Sequence, residues 1–203
     1  MWSPALRPPE IPPSRELSLE DWIRLPEDVG GELVGGRLME EEMPDPIHGL
    51  AVSWLIAVLR SWLAGQGGFV FDSDVKVVVS PTGGRKPDVS VYLPGRPAPP
   101  RRGALREPPD IVVEVISASP RDERRDRVEK MTEYAGAGVR YYWLVDPALG
   151  SLEVFELDPS RRYVRALAAT GGVIEAVPGC AGLTLDLDGL WAELARLAPE
   201  GEE

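Results

Sequence analysis

Glu114 carries the clearest chemical signal in the sequence. It lies in the middle of residues 111–116, where alternation along a strand places its side chain on the same face as Val112 and Ile116. An unpaired carboxylate buried there would cost several kcal/mol, so a metal ion, a cation or a bound proton has to compensate it. An internal ion pair with an arginine would meet the same need without any catalytic role.

A second carboxylate, Asp88, follows Pro87 at the start of a predicted strand. Sites on α/β sheets usually lie at strand ends, although an aspartate there can equally cap the strand. Two carboxylates on neighbouring strands would form an oxygen-rich site of the kind that Mg²⁺ prefers. A metal ion bound there would polarise a phosphoryl oxygen and lower the pKa of its bound water, which indicates phosphoester chemistry.

Lys130 is the third candidate, with Asp126 and Tyr134 one turn away on either side in a predicted helix. A phosphodiester site needs a compact cation that orients water and neutralises the charge of the transition state. Lys86 competes for this role, because alternation places it on the same strand face as the aspartate two residues later. Alternatively, Lys130 is a surface lysine paired with an acidic neighbour on its own helix.

Hydrophobic periodicity and turn signals predict the elements that must hold these groups. The predicted buried face of the first long helix consists of Leu50, Trp54, Ala57, Val58 and Ser61, and that of the later helix consists of Val128, Met131 and Ala135, flanked by Lys130. Helices are predicted at residues 19–25, 47–64, 119–138 and 188–197, a hairpin at 32–38 that turns at Gly35-Gly36, a further turn at 81–84, and strands at 69–71, 75–80, 88–93, 110–117, 139–147, 152–157, 163–168, 173–176 and 183–187.

The order of these elements predicts an α/β domain in which a sheet is sandwiched between helices. Residues 110–117 and 139–147 are almost continuously apolar, which is typical of strands buried on both faces. The domain spans residues 17–197, preceded by an extended Pro-rich arm at 1–16 and followed by an acidic tail at 198–203. A chain of 203 residues is long enough for one such core.

The net charge of −11 argues against a nucleic-acid partner, but the charge is unevenly distributed. Residues 51–140 carry 14 basic and 11 acidic side chains, whereas the segments before and after them each carry 4 and 11. The middle segment is therefore the only part that could attract a polyanion, unless the acidic ends serve solubility alone.

The rest of the composition narrows the class of protein. A single histidine and a single cysteine exclude a Cys/His zinc cluster and a disulfide scaffold, so a metal here would be Mg²⁺ or Mn²⁺ held by oxygen. No apolar run approaches the roughly 18 residues that a membrane span needs, which excludes an integral membrane protein. We expect a cytoplasmic protein without a membrane partner. The absence of asparagine indicates a heat-adapted source, although a GC-rich genome would also favour the 19 arginines over the 3 lysines.

The segments KPD at 86–88 and VEV at 113–115 resemble the metal-binding half of the PD-(D/E)XK nuclease superfamily. Within it, the chain resembles the bacterial "putative restriction endonuclease" family over residues 17–191. This resemblance implies a restriction-endonuclease-like mixed sheet core flanked by helices, with an extra N-terminal hairpin and C-terminal strands. The stretches that carry it are residues 31–49, 85–92, 108–147 and 178–191.

One position departs from the superfamily pattern, which has a lysine two residues after the glutamate where this chain has Ile116. Either the protein is inactive or another lysine replaces the missing one, and the resemblance points to Lys130 in the family's DRxEK helix. The resemblance also implies that the main-chain carbonyl of Val115 ligates metal and that Glu32 supplies a third carboxylate. It further makes His48 a contact for water or phosphate, although the position of His48 taken alone favours a surface residue at a helix N-terminus.

A basic cluster in the predicted helix, Arg121, Arg124, Arg125 and Arg127, could bind phosphates or could be a solvated face paired with its own acidic neighbours. The chain is poorly equipped to recognise bases, because amide contacts to adenine need Asn or Gln and the sequence contains only Gln66. A symmetric homodimer would place two such clusters side by side and allow cuts in both strands.

These observations favour a Mg²⁺-dependent DNA endonuclease whose catalytic residues are Asp88, Glu114, Lys130, Glu32 and His48. The metal ligands would be Asp88, Glu114 and Val115. Two other classes stay open: a non-catalytic nucleic-acid-binding accessory protein that keeps the fold, and a metal-dependent hydrolase of a small phosphorylated substrate.

Overall fold

The computed structural model describes residues 16–26, 29–40, 44–117 and 124–198. Almost all of the predicted arm and tail, and the predicted start of the helix at residue 119, lie outside these ranges. The helices are α1 (Leu19–Ile23), α2 (Pro46–Leu63), α3, which begins as a π-helix (Arg125–Lys130) and continues as an α-helix (Met131–Ala137), and α4 (Leu187–Leu194). The strands are β1 (Glu32–Val34), β2 (Arg37–Met39), β3 (Phe69–Asp72), β4 (Val77–Ser80), β5 (Gly83–Arg85), β6 (Val89–Tyr92), β7 (Ile111–Val115), β8 (Tyr141–Asp146), β9 (Ser151–Leu157), β10 (Tyr163–Ala169), β11 (Val173–Ile174) and β12 (Leu185–Asp186).

Six strands form the main sheet, in the order β10-β9-β8-β7-β6-β3. β7 and β8 are parallel, with Glu114 beside Leu144, and the other neighbouring pairs are antiparallel. Both central strands are buried along their whole length, as their continuous apolar runs predict. The mixed sheet flanked by helices confirms the predicted fold class.

Two hydrophobic clusters fill the two faces of this sheet. α2 and α4 cover one face, where Leu59 and Leu190 pack with Val113 of β7. The other face packs Val112 of β7 against Tyr134 of α3. Because side chains alternate along a strand, Glu114 points to the same face as Val112, toward α3.

A second sheet of four short strands, in the order β2-β1-β5-β4, contains the predicted hairpin with its turn at Gly35-Gly36. β5 corrects the prediction that residues 81–84 form only a turn, because Gly84 pairs with Leu33 of β1 on one side and with Val78 of β4 on the other. A Cβ at Gly84 would lie 2.2 Å from the ring of Trp22, so this glycine is needed for close packing against α1. The strand that results ends at Arg85.

α2 buries a different face from the predicted one. Ala57 and Ser61 are exposed, and the buried stripe lies one position further on. Because the helix is apolar on most of its surface, periodicity alone did not distinguish two neighbouring stripes. The buried residues are spaced four apart: Ala51, Leu55, Leu59 and Leu63.

The same apolar character bears on the membrane prediction. Contrary to the sequence-based expectation, the 18 residues of Pro46–Leu63 are long and apolar enough to cross a membrane, judged by length and composition alone. Core helices share these properties, and the buried stripe of α2 packs into the hydrophobic cluster on one face of the main sheet.

α3 also differs from its prediction. Val128, which was expected to face the core, is 57% exposed, whereas Asp126, Lys130 and Tyr134 are buried. The buried face of this helix carries charged and hydroxyl side chains, so a pattern based on apolar positions selected a different face. The helix ends at Gly138, whose φ of +90° is left-handed backbone that glycine adopts without strain.

Candidate active site

A cleft of about 190 Å³ lies at the end of the main sheet where β7 finishes and β6 begins. Its walls come from the start of α2, the small sheet and the π-helical part of α3. Every residue predicted from the sequence to be catalytic is in this cleft or bonded to a side chain that lines it. The lining residues that matter for its chemistry are Glu32, His48, Lys86, Asp88, Val115, Ser117, Arg125, Asp126 and Lys130.

Asp88 sits directly before β6, beside the end of the antiparallel β7. Its Oδ2 accepts a hydrogen bond of 2.7 Å from the backbone N–H of Val115. Val115 and Asp88 both line the cleft. That the main-chain carbonyl of Val115 ligates a metal there stays a prediction of the family resemblance.

His48 lies in the first turn of α2 and reaches into the same corner. Its Nε2 is 3.1 Å from Oδ2 of Asp88, and its side chain is only 12% exposed. Burial alone would lower the pKa of His48, but the hydrogen bond to Asp88 raises it above the ordinary value. His48 is therefore a partner of the carboxylate rather than a solvated residue at a helix N-terminus.

Glu114 is bonded at both carboxylate oxygens. Its Oε2 lies 2.8 Å from Nζ of Lys130, and its Oε1 accepts a 2.7 Å hydrogen bond from the hydroxyl of Tyr134. Nζ of Lys130 also lies 3.0 Å from Oδ1 of Asp126, one turn earlier in α3. Lys130 therefore joins two buried carboxylates. The pairing with an acidic neighbour on its own helix is present, but Lys130 is buried and not at the surface, and the cation that pairs with Glu114 is this lysine and not an arginine.

Negative charge accumulates around Glu114. The pKa of Glu114 is raised to about 8: burial is the largest cause, Lys130 acts in the opposite direction, and Asp88, Asp126 and Glu32 add to the increase. For Lys130, burial alone would lower the pKa, but the surrounding carboxylates raise it above its ordinary value. Lys130 is consequently a fixed cation at neutral pH, while the carboxylates around it still repel one another.

Glu32, on β1, is held differently. Its Oε2 accepts a 2.6 Å bond from Nη1 of Arg85, and its Oε1 accepts a 3.0 Å bond from the backbone N–H of Lys86. Burial would raise its pKa, but Lys130 and Arg85 together with these bonds lower it. Glu32 is thus an ionised carboxylate that lines the cleft.

The two competing lysines take different positions. Lys130 is almost fully buried against Glu114, whereas Lys86 is half-buried and lines the cleft next to Asp88. The ammonium of Lys130 is within hydrogen-bonding distance of a predicted metal ligand. Lys86 contributes its backbone N–H to Glu32.

The predicted arginine cluster does not act as one surface. Arg125 lines the cleft, and Arg124 is exposed with Glu129 at 3.9 Å. Arg127 points elsewhere, because its guanidinium pairs with Asp146 and Glu153. Arg121 lies outside the described residues.

The donor set at the cleft fits a hard divalent cation in kind, because it consists of carboxylate and carbonyl oxygens. The crowding that raises the pKa of Glu114 also indicates a place where added positive charge would be stabilising. Among the described residues, however, no three His, Cys, Asp or Glu side chains are already gathered as a preformed metal cluster. Asp88, Glu114 and the carbonyl of Val115 are the groups that would hold such an ion.

Sequence reasoning overlooked two partners of the site. Arg85 is fully buried between Glu32 and Glu133, and the hydroxyl of Tyr134 bonds Glu114. The position of Tyr134 four residues after Lys130 was a usable signal, since residues four apart share a helix face. Arg85 gave no such signal, because its partners are far away in the sequence.

Comparisons with known proteins agree with this fold. A family profile described as "putative restriction endonuclease" (Uma2) matches residues 18–188, and no curated protein matches the chain significantly. A crystal structure of a putative nuclease belonging to DUF820 from Anabaena variabilis has a TM-score of 0.68 and 20% sequence identity, covering 88% of this chain and 99% of that chain. At that identity the likeness supports the fold, and the profile supports the family. Since the profile covers most of the chain, the protein belongs to the "putative restriction endonuclease" family, a family of nuclease-like proteins, as the sequence resemblance predicted.

Proposed function

We propose that this protein is a Mg²⁺- or Mn²⁺-dependent DNA endonuclease that hydrolyses phosphodiester bonds in the cleft between β6, β7 and α3. The observation that carries the proposal is the 2.8 Å contact between Nζ of Lys130 and Oε2 of Glu114, beside Asp88. A helix thereby supplies the cation that the superfamily pattern places on the strand, where this chain has Ile116.

In this proposal, Asp88, Glu114 and the carbonyl of Val115 hold the metal. When bound, the metal supplies Lewis-acid activation of a phosphoryl oxygen and of water. His48 holds the carboxylate of Asp88 through its Nε2, and the backbone N–H of Val115 fixes the same oxygen. Glu32 adds a third ionised carboxylate at the wall of the cleft.

Lys130 acts as an electrostatic group and not as a base, because its raised pKa keeps it protonated at neutral pH. An ammonium group in a mostly buried position stabilises the negative charge that develops on a phosphoryl group far better than one in water. It also donates hydrogen bonds that can orient a water molecule. Its bonds to Glu114 and Asp126 fix the ammonium at the floor of the cleft.

The size of the cleft favours a polymer over a small phosphorylated molecule. About 190 Å³ is below the roughly 300–1,000 Å³ of sites that enclose a whole small molecule. It can admit one phosphodiester group of a longer strand that continues outside. Arg125, Lys86 and His48 supply the basic groups that line it. A homodimer and a cytoplasmic location remain predictions of the sequence.

Cleavage assays with purified protein test this function. Supercoiled plasmid and single-stranded oligonucleotides are incubated with Mn²⁺ or Mg²⁺, and metal binding is followed separately by the shift in Tm. Lys130→Ala should abolish cleavage and preserve the metal-dependent shift, because lysine is not a ligand, whereas Asp88→Ala should abolish both. Lys86→Ala is the matched control, since it removes the other lysine that lines the cleft, and it should retain cleavage.

Two results would count against the proposal. If Lys86→Ala is inactive and Lys130→Ala is active, the wrong lysine has been assigned. If the wild-type protein binds DNA but cuts neither substrate with either metal, the accessory-protein alternative is preferable.

A further inference from the structure

Arg85 is a charged side chain with no exposed surface, behind the cleft rather than in it. Its Nε and Nη2 donate bonds of 2.7 and 2.9 Å to the two oxygens of Glu133. Its Nη1 donates a 2.6 Å bond to Oε2 of Glu32. The guanidinium therefore uses its planar fork on one carboxylate and its remaining edge on another.

The two partners of Arg85 belong to different parts of the site. Glu32 lies on β1 and lines the cleft, while Glu133 lies on α3, three residues after Lys130. Residues three apart lie on neighbouring parts of a helix surface, so a clamp on Glu133 also fixes the position of Lys130. Through β5, Arg85 ties the small sheet to the helix that carries the catalytic lysine.

Stability alone does not explain such an arrangement. Buried ion pairs are often matched or exceeded in stability by well-packed hydrophobic residues of similar volume. What a buried, multiply bonded arginine supplies instead is a fixed geometry, since its planar donors accept little displacement of their partners. Displacements of about 1 Å at a reacting centre can reduce a rate by roughly a hundredfold.

We propose that Arg85 is a positioning residue of the active site, which sets Lys130 against Glu114 by clamping Glu133 and Glu32. The inference rests on the proposed nuclease function for its catalytic consequence. The inference also states that the position of the Lys130 ammonium depends on Arg85, and this can be measured without a cleavage assay.

The scarcity of lysine makes that measurement direct. The chain contains Lys76, Lys86 and Lys130 only, so protein labelled with ¹⁵N-lysine has three side-chain ammonium groups to detect by NMR. Lys76 is an internal reference, because its Nζ is held by the carbonyl oxygens of Trp22, Ile23 and Leu25 and not by the carboxylates that Arg85 clamps. Lys→Arg substitutions at each position assign the signals.

The test compares the wild-type protein with Arg85→Gln and with the milder Glu133→Gln, whose side chain is 30% exposed and whose change is isosteric. Exchange of the Lys130 ammonium protons with water should accelerate by about tenfold or more in both variants, while that of Lys76 stays unchanged. In cleavage assays, kcat should fall by roughly tenfold to a hundredfold, with KM within about twofold. Leu190→Ala is the control for a general loss of stability, because Leu190 is buried in the other hydrophobic cluster.

Each outcome decides the matter. Unchanged Lys130 exchange in a folded Glu133→Gln or Arg85→Gln variant would overturn the inference. The same acceleration in Leu190→Ala would also overturn it, because the effect would then follow stability and not the clamp. If exchange changes as expected but the wild-type protein never cleaves DNA, the proposed function fails while the positioning role of Arg85 is supported.

Discussion

The coupling between Lys130 and Glu114 can be measured as a free energy. Lys130→Met removes the ammonium from between two carboxylates, Glu114 and Asp126, whose side chains are 1% and 4% exposed. Breaking a buried ion pair by removing one partner costs about 3–5 kcal/mol, because the remaining charge stays buried without compensation. The variant should lose that much unfolding free energy, a large part of the roughly 5–15 kcal/mol of an ordinary domain.

Glu114→Gln is the second single variant of this double-mutant cycle, and it should destabilise the fold less than Lys130→Met. Glu114→Gln keeps the shape of the side chain and an oxygen for the hydroxyl of Tyr134, and Lys130 keeps Asp126 as a partner. We expect a cost of about 1–3 kcal/mol. In the double variant no glutamate charge is left unpaired, so its cost should fall short of the sum of the single changes by about 1–3 kcal/mol.

Urea unfolding at about pH 9, where Glu114 is ionised because its pKa is about 8, gives the four free energies when it is followed by circular dichroism. Arg124→Met is the control, because its side chain is 78% exposed and its loss should change stability by no more than about 0.5 kcal/mol. Single changes that add to within about 0.5 kcal/mol in the double variant would refute the reasoning, since independent sites behave in that way.

Two further predictions concern pH and DNA. The pKa of Glu114 is raised from an ordinary 4.5 to about 8, mainly by burial, so its contribution to the free energy of unfolding is complete below pH 4.5 and is lost as the pH rises through 8. Urea unfolding should show this decline in stability for the wild-type protein and not for Glu114→Gln. The same slope of stability against pH in both proteins between about pH 5 and 8 would contradict the prediction. Changing both Arg124 and Arg125 to Glu should weaken duplex binding and reduce the slope of log K against log salt by about 0.9 for each phosphate that the variant no longer neutralises, as measured by fluorescence anisotropy. Affinity untouched by the double change would place the nucleic-acid surface elsewhere.

Local patterns in the sequence were enough for the elements and for the central strands. Strands buried on both faces leave continuous apolar runs, and β7 and β8 are of that kind. A carboxylate in such a run has to have a partner, so Glu114 was identifiable from sequence alone. Helix faces were harder, because α2 is apolar on most sides and the buried face of α3 carries polar side chains.

The partners of the site were the least predictable part. Arg85 lies 53 residues from Glu32 and 48 from Glu133, and no local period links residues so far apart. Only the packing of the small sheet against α1 and α3, which depends on Gly84 fitting beneath Trp22, brings them together. The link between His48 and Asp88, 40 residues apart, is of the same kind.

The π-helical start of α3 has a consequence for how the catalytic groups hold together over time. Asp88 and Glu114 belong to the strands of the main sheet, whereas Lys130 belongs to a helix whose first turns are wound in the less common π form. Short helical segments open locally at a smaller free-energy cost than central strands do. An opening of these turns would separate the ammonium from its carboxylates while the sheet stays folded. If the proposed nuclease function holds, the site would then have its carboxylates in place without Lys130. A fraction of intact, folded molecules would be momentarily inactive, and that fraction would grow on warming before the domain itself melts.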